Sequence, residues 1–308
     1  MSDKLPALPN FSRLSERVWR ILGLNPGQWT LQGTNTYLVG LGPQKILIDC
    51  GEGEPAYLPL LLDSLRQISP DAFISDVIIT HCHVDHWRGL KDVLPVFEKA
   101  KVHKYPLPSG CHDEEDHMLG FPIIEVHPLH DNQLIQLPNT TLRVIHTPGH
   151  AKDHCALWLE EEGVLFTGDC VLGHGTAVFD DLHEYMTSLR RMSTFHPTKL
   201  YPGHGPVIEN GMERIKQYIE HREQREKQII SLMLQDQSKH WTVLEMVDHL
   251  YQGYDSRMYA VIIRQVALHM LKLEVDGKAK LVDGSSGYDK TNVFEMIDKS
   301  WCYMTARL

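Results

Sequence analysis

Seven side chains able to hold a borderline metal ion fall into four short clusters along this 308-residue chain. The first is His81-Cys82-His83-Val84-Asp85-His86, an H-x-H-x-D-H run. The others are His150 in Thr147-Pro148-Gly149-His150, Asp169 in Thr167-Gly168-Asp169, and His204 in Tyr201-Pro202-Gly203-His204-Gly205. Imidazole nitrogen and carboxylate oxygen are the donors zinc takes when thiolate is not used. His81 and His83 are two apart, so both rings can reach one ion from a strand end, while Asp85 and His86 follow on the turn and can reach a second. Asp169 can bridge the two. The expectation is two Zn2+ per chain, the first held by His81, His83, His150 and Asp169, the second by Asp85, His86, Asp169 and His204, each keeping a position open for a shared water. Such a pair lowers the pKa of that water and polarises an electrophile's oxygen, which makes Asp85 and Asp169 catalytic candidates as well as ligands. Asp49 ends a strand ahead of the first cluster and is read either as orienting a ligand histidine or as a turn cap.

Elements that could position these clusters are legible as short β-branched runs. Strands are expected over 33–39, 45–49, 76–80, 142–146, 155–159 and 163–167, with a helix near 57–68. The clusters fall just past strand ends, where a sheet can fix a loop. Pro106 to Phe121, rich in Pro, Gly, His and acid, reads as a surface loop or a rim loop of the site. From Met212 to about Gln235 the sequence predicts one amphipathic helix, with Ile215, Tyr218, Ile219, Ile229, Ile230 and Met233 on its apolar face. Thr242-Val243-Leu244-Glu245 is a capping box that opens another helix, and a third runs from roughly Met258 to Leu273 before Gly277. Lys280-Leu281-Val282 follows as a short strand, and Asp283 to Leu308 carries no pattern. Two domains are expected: 1–211 with the dinuclear site, and 212–308 with the linking helix and a winged-helix-like module, the alternative being a packing domain.

Composition bounds the rest. With 42% apolar and 23% charged residues the chain reads as a globular protein, and it has no apolar run near the roughly 18 residues of a spanning helix. Six cysteines without a C-x-x-C pair fit reduced thiols. The net charge is −10, all of it from Met1 to Gly211, which holds 16 Lys and Arg against 26 Asp and Glu. Two divalent ions would offset that acid at the cleft itself and favour an anionic substrate there. The N-terminal twenty residues lack the apolar stretch of a signal peptide and carry four basic residues diluted by Asp3 and Glu16.

The order and context of the four clusters resemble the metallo-β-lactamase superfamily. An aspartate stands at the bridging position, with Cys170 merely its neighbour, so the chain is similar to the glyoxalase II and ribonuclease branch rather than to the lactamases with a cysteine ligand. Leu31-Gln32-Gly33-Thr34-Asn35-Thr36-Tyr37-Leu38-Val39-Gly40, Thr167-Gly168-Asp169-Cys170-Val171-Leu172-Gly173 and Tyr201-Pro202-Gly203-His204-Gly205-Pro206-Val207-Ile208 narrow the match. So do His221-Arg222, Arg225-Glu226, Leu273-Glu274 and Gly277-Lys278. Over roughly residues 14 to 282 the chain resembles the animal β-lactamase-like protein 2 family. The resemblance implies an α/β fold, an αββα sandwich with a small C-terminal helical domain, two zinc ions, and cleavage of single-stranded RNA in the mitochondrial matrix, the cytosol being the alternative. The chain departs from the family pattern at Cys82, where a Trp is usual, at Trp87-Arg88, where Ser-Gly is usual, and at Ala151, where a Thr is usual. No ligand is lost, but the substrate rim changes: Arg88 could meet a phosphate and Trp87 could stack a base, or both could pack on the domain edge.

The reaction expected is zinc-dependent endonucleolytic hydrolysis of phosphodiester bonds, with His154 and His174 as candidate proton donors to the leaving oxygen. Arg257, Arg264, Lys272, Lys278 and Lys280 could guide the strand. The rival is a thioester hydrolase of the glyoxalase II or acyl-carrier type, since the same site attacks a carbonyl. A third reading, an RNA-binding or scaffold protein with a silent site, would call for a missing ligand.

Overall fold

The computed structural model describes residues 5–108, 117–253, 258–282 and 296–304. The chain separates into two compact units, one of residues 1–178 and 187–216, the other of 179–186 and 217–308. The boundary thus falls inside the helix Gly211–Gln235, and a short excursion at 179–186 joins the second unit.

The first unit is built on two sheets. The larger has seven strands in sequence order: β1 (Phe11–Arg13), β2 (Val18–Leu22), β3 (Asn35–Val39), β4 (Gln44–Ile48), β5 (Phe73–Ile79), β6 (Lys101–Lys104) and β7 (Val126–Pro128). β1 to β4 pair antiparallel and β4 to β7 parallel. The smaller uses β8 (Leu134–Leu137), β9 (Thr140–His146), β10 (Cys155–Leu159), β11 (Val164–Gly168) and β12 (Lys199–Pro202), ordered from β12 to β8, with only β11 and β12 parallel. β2 and β3 are buried along their whole length, with the polar Arg20, Asn35 and Thr36 each hydrogen-bonded among the apolar residues.

One core layer mixes side chains of both sheets, among them Tyr37, Ile46, Ile78, Val144, Leu157 and Phe166. A second packs the larger sheet against the helix Tyr57–Ile68 and the segment after the first ligand cluster, through Leu38, Leu47, Leu61, Val77, Trp87 and Leu90. Sheet on sheet with helices outside is the αββα sandwich. It delivers the ligand clusters to the ends of β5, β9, β11 and β12, where parallel pairing aligns β4 with β5 and β11 with β12.

In the second unit, Thr242 and Glu245 form the reciprocal capping box at the start of the helix Val243–Leu250. The helix Tyr259–Val275 stops at Gly277, which takes the left-handed conformation (φ +70) with its N–H donating to the Glu274 carbonyl. The strands β13 (Trp241–Thr242), β14 (Ala279–Leu281) and β15 (Ser300–Tyr303) form a three-stranded sheet with β15 in the centre. Trp301 on β15 is fully buried, as are Met246, Val266 and Leu273. Helices followed by a small antiparallel sheet make this a winged-helix domain, closed by a strand from the segment in which the sequence shows no pattern. Among the described residues no helix is long and apolar enough to cross a membrane.

Candidate metal centre

The seven expected ligands converge as two donor sets. Ligand atoms of His81, His83, His150 and Asp169 all lie within 4.8 Å of one another, and so do those of Asp85, His86 and His204. His83 offers Nδ1, and His81 and His150 offer Nε2; the three nitrogens are 3.0, 3.0 and 3.3 Å apart. A tetrahedral zinc with nitrogens at about 2.0–2.1 Å has ligand–ligand edges of about 3.3–3.4 Å, so this triangle is nearly the face such an ion needs. In the second set, Asp85 Oδ2 lies 3.3 Å from His86 Nε2 and 3.2 Å from His204 Nε2. Asp169 faces both sets: Oδ2 is 3.7 Å from His150 Nε2 and 3.2 Å from His204 Nε2, and Oδ1 is 3.6 Å from His86 Nε2. His86 Nε2 and Asp169 Oδ1 are buried without a hydrogen-bond partner, which is costly unless something else occupies them, so the residues fit a pair of divalent ions.

Each ring is held from behind. Asp49 Oδ2 accepts from His86 Nδ1 at 2.7 Å, while its two oxygens also accept from the Thr80 amide and hydroxyl. Asp49 therefore orients a ligand histidine, and it does so from a left-handed backbone (φ +55) that its three hydrogen bonds hold in place. His150 Nδ1 donates to the Val178 carbonyl at 2.8 Å, which leaves Nε2 for the site. Thr34 donates to Asp85 Oδ2, and the Asn35 amide donates to the carbonyls of Pro202 and Gly205, bracing the loop that carries His204. A Cβ on Gly203 would run into Asp169 Oδ1 and come within 3.0 Å of His86 Cε1, so the P-G-H motif needs its glycine for close approach.

The electrostatics divide in the same way. Burial, then the neighbouring rings of His86, His83 and His150, hold His81 well below an ordinary imidazole, and burial with His150 brings His83 down to about 3. His86 goes the other way: burial lowers it, but Asp85, Asp49 and Asp169 together outweigh burial and raise it well above 6.5. At His204 the same contest between burial and Asp169 with Asp85 ends at about 9. Burial favours the protonated form of Asp85 and Asp169, yet His86 and His204 keep both carboxyls well below the usual range. His81 and His83 are thus neutral and both carboxyls ionised, ready for a divalent cation, while His86 and His204, protonated in the metal-free site, must each release a proton to bind one.

Several expectations change. His154 is fully buried, its Nε2 accepts from the Asp169 amide at 3.1 Å and its Nδ1 faces the Thr147 hydroxyl at 2.8 Å, so both nitrogens are committed and it is not placed to protonate a leaving group. His174 is exposed on the loop after Asp169, where its backbone amide lies against Gly205. Trp87 is 2% exposed, donates to the Cys82 carbonyl and packs on Phe121; it belongs to the core and cannot stack a base. Arg88 is exposed. In the second unit Arg264 binds the Phe179 carbonyl and Asp180, buried Lys272 pairs with Glu226 and Asp276, and Lys278 pairs with the same two acids. These three cations serve the domain's own cohesion, Lys280 is exposed, and Arg257 lies outside the described residues. Sequence reasoning missed His117, whose ring stands edge-on to His83 at 4.8 Å between centroids. It brings the 106–121 stretch to the rim of the site, though 109–116 lie outside the described residues.

Residues 29–204 match the model of the metallo-beta-lactamase superfamily, and residues 242–287 match the beta-lactamase associated winged helix domain. The chain belongs to the metallo-beta-lactamase superfamily. Within this family of metal-dependent hydrolases it is 41% identical to the Beta-lactamase-like protein 2 homolog of Drosophila melanogaster, over 89% of this chain and 93% of that protein. It is 39% identical to the homolog of the same name in Caenorhabditis elegans, over 91% and 95%. The Lactamase-like protein adaB of Aspergillus niger is 36% identical over 89% and 85%. Among solved structures, a beta-lactamase domain protein from Burkholderia ambifaria superposes with a TM-score of 0.73 at 19% identity, covering 98% of this chain and 96% of that one. A metallo-beta-lactamase family protein from Thermus thermophilus gives 0.66 at 21%, over 95% and 100%. Those two carry the fold alone.

Proposed function

We propose that this metallo-beta-lactamase family hydrolase is a zinc-dependent endoribonuclease that cleaves phosphodiester bonds of single-stranded RNA in the mitochondrial matrix. The observation that carries the reading is the Asp169 carboxylate shared between two donor sets, an arrangement that suits a two-metal hydrolase and supports in-line displacement at phosphorus. Bound there by His81, His83, His150 and Asp169 on one side and Asp85, His86, His204 and Asp169 on the other, two divalent ions would supply an activated water and positive charge for the transition state.

The chain's own residues supply the geometry. Asp49, Thr80 and the Val178 carbonyl stop His86, His81 and His150 from swinging, and Thr34 fixes Asp85. His174, exposed on its loop, is the candidate for moving a proton to the leaving oxygen. Exposed Arg88 beside the first cluster and exposed Lys280 on β14 are candidate phosphate contacts. RNA as the substrate is supported by the likeness to the β-lactamase-like protein 2 family and by the winged-helix match.

Internal pairing of Arg264, Lys272 and Lys278 favours a second reading, a thioester hydrolase, because it removes much of the basic surface expected to follow a strand. Zinc-loaded protein and its Asp169→Asn variant, given labelled single-stranded RNA and an acyl-thioester, separate the two. Cleaved RNA is expected with the wild type. The variant should fall below about one-hundredth of it, since losing even an outer partner of a ligand costs about 10–100-fold. Thioester turnover beside intact RNA would assign the metabolic reaction instead.

A further inference from the structure

The turn that follows His150 does more than deliver that ligand. Residues 151–154 form a tight turn, closed by the His154 amide donating to the Ala151 carbonyl, and β10 begins at Cys155. Two consecutive side chains leave this turn in different directions and each grips the backbone of a different ligand cluster.

Asp153, fully buried, accepts with Oδ1 from the amide of Cys82, the residue between ligands His81 and His83. Its Oδ2 is paired with Lys104 of β6, itself only 6% exposed. A carboxylate so deep would be unstable without such a partner. His154 accepts with Nε2 from the amide of Asp169, the shared ligand. That amide can only donate, so the proton of the neutral ring sits on Nδ1 and is given to Thr147 Oγ1. The seat is cut for the ring: a Cβ on Gly168 would lie 2.5 Å from His154 Nε2, and Gly168 takes φ +46. The glycine of T-G-D is thus explained by the histidine behind it.

We propose that Asp153 and His154 are positioning residues that clamp the first and third ligand clusters to the turn carrying the second, with Lys104 as the buried counter-ion of Asp153. Three of the four clusters, which are remote in sequence, are then referenced to one short turn. The inference rests only on the metal-site part of the proposed function and is independent of the substrate.

Cobalt(II) serves as the probe, because its d–d absorption reports ligand geometry without any turnover. The full chain is stripped of metal, titrated with cobalt in competition with a chromophoric chelator, and its spectrum recorded. His154→Gln places an amide oxygen where Nε2 stood and keeps an acceptor for the Asp169 amide; His154→Asn reaches only the Nδ1 position. His154→Asn is expected to lose about 10–100-fold in cobalt affinity with an altered band shape, and His154→Gln to stay within about threefold of wild type. A folded His154→Asn with wild-type affinity and spectrum, or a His154→Gln as weak as it, overturns the proposal. Should His154→Asn not fold, the double variant Asp153→Leu with Lys104→Met decides. Replacing a buried pair by apolar side chains is often tolerated, and here it leaves the Cys82 amide without its carboxylate acceptor. Weakened binding then supports the clamp and unchanged binding overturns it. A wild type that takes up no cobalt at all would overturn the metal-site reading and this inference together, which keeps the two failures distinct.

Discussion

At the scale of single residues, the site is governed by what each ligand's far nitrogen or second oxygen touches. Asp49 shows the cost and the gain together. It holds a left-handed backbone conformation that a non-glycine residue rarely takes, and in return its carboxylate fixes His86, Thr80 and the end of β5 at once. Asp49→Asn keeps the shape but removes the charge that favours His86 as a directed donor. It should weaken metal binding at the Asp85–His86–His204 side by about 10–100-fold, read by chelator competition. Binding equal to wild type would reduce Asp49 to a turn cap. Trp87 makes the opposite point: an aromatic beside a ligand cluster looks available to a substrate in sequence, yet its ring is needed by the core.

The elements were unevenly legible. Strands β3 to β5 and β9 to β11 announce themselves through their Val, Ile and Leu, because most of their residues face the core. The edge strands β1 and β8 and the closing strand β15 do not, since short strands are decided by the partner they find rather than by their own residues. Helix starts are local chemistry and read well. The capping box at Thr242 is formed as the sequence predicts, and Thr242→Ala should lower stability by about 1 kcal/mol, seen as a lower urea midpoint with unchanged slope. The same substitution leaving the midpoint unmoved would show that packing alone holds the helix Val243–Leu250. The helix Gly211–Gln235 buries Leu232 as well as Ile215, Tyr218, Ile229 and Met233, and leaves Ile219 and Ile230 half-buried. Helical spacing locates an apolar face, but its edges depend on what packs there.

For the whole molecule, buried titratable groups set how stability follows pH. His269 is 1% exposed, and burial, then Arg222, Arg225 and Lys272, bring it down to about 3. The unfolded chain takes up a proton at this residue below about pH 6.5 and the folded chain does not, so the folded state loses stability as pH falls through that window. Between pH 6.5 and 5 this amounts to about 2 kcal/mol, and His269→Leu should flatten the acid limb of stability by that much in denaturant titrations at the two pH values. An unchanged acid limb would mean that other groups carry it.

The sequence by itself determined the ligand types, their four clusters, the sharing role expected of Asp169 and the capping of the second domain. All of these rest on chemistry or spacing within a few residues. Only the tertiary structure decided which ring nitrogen faces the site, that Asp153 and His154 grip amides at Cys82 and Asp169, that Trp87 is core, and that Arg264, Lys272 and Lys278 find their partners inside their own domain. The clamp and the paired cations depend on burial and on groups brought together across 15 to 85 positions of chain. Nothing local encodes a distance that long; it exists once the sheets have closed.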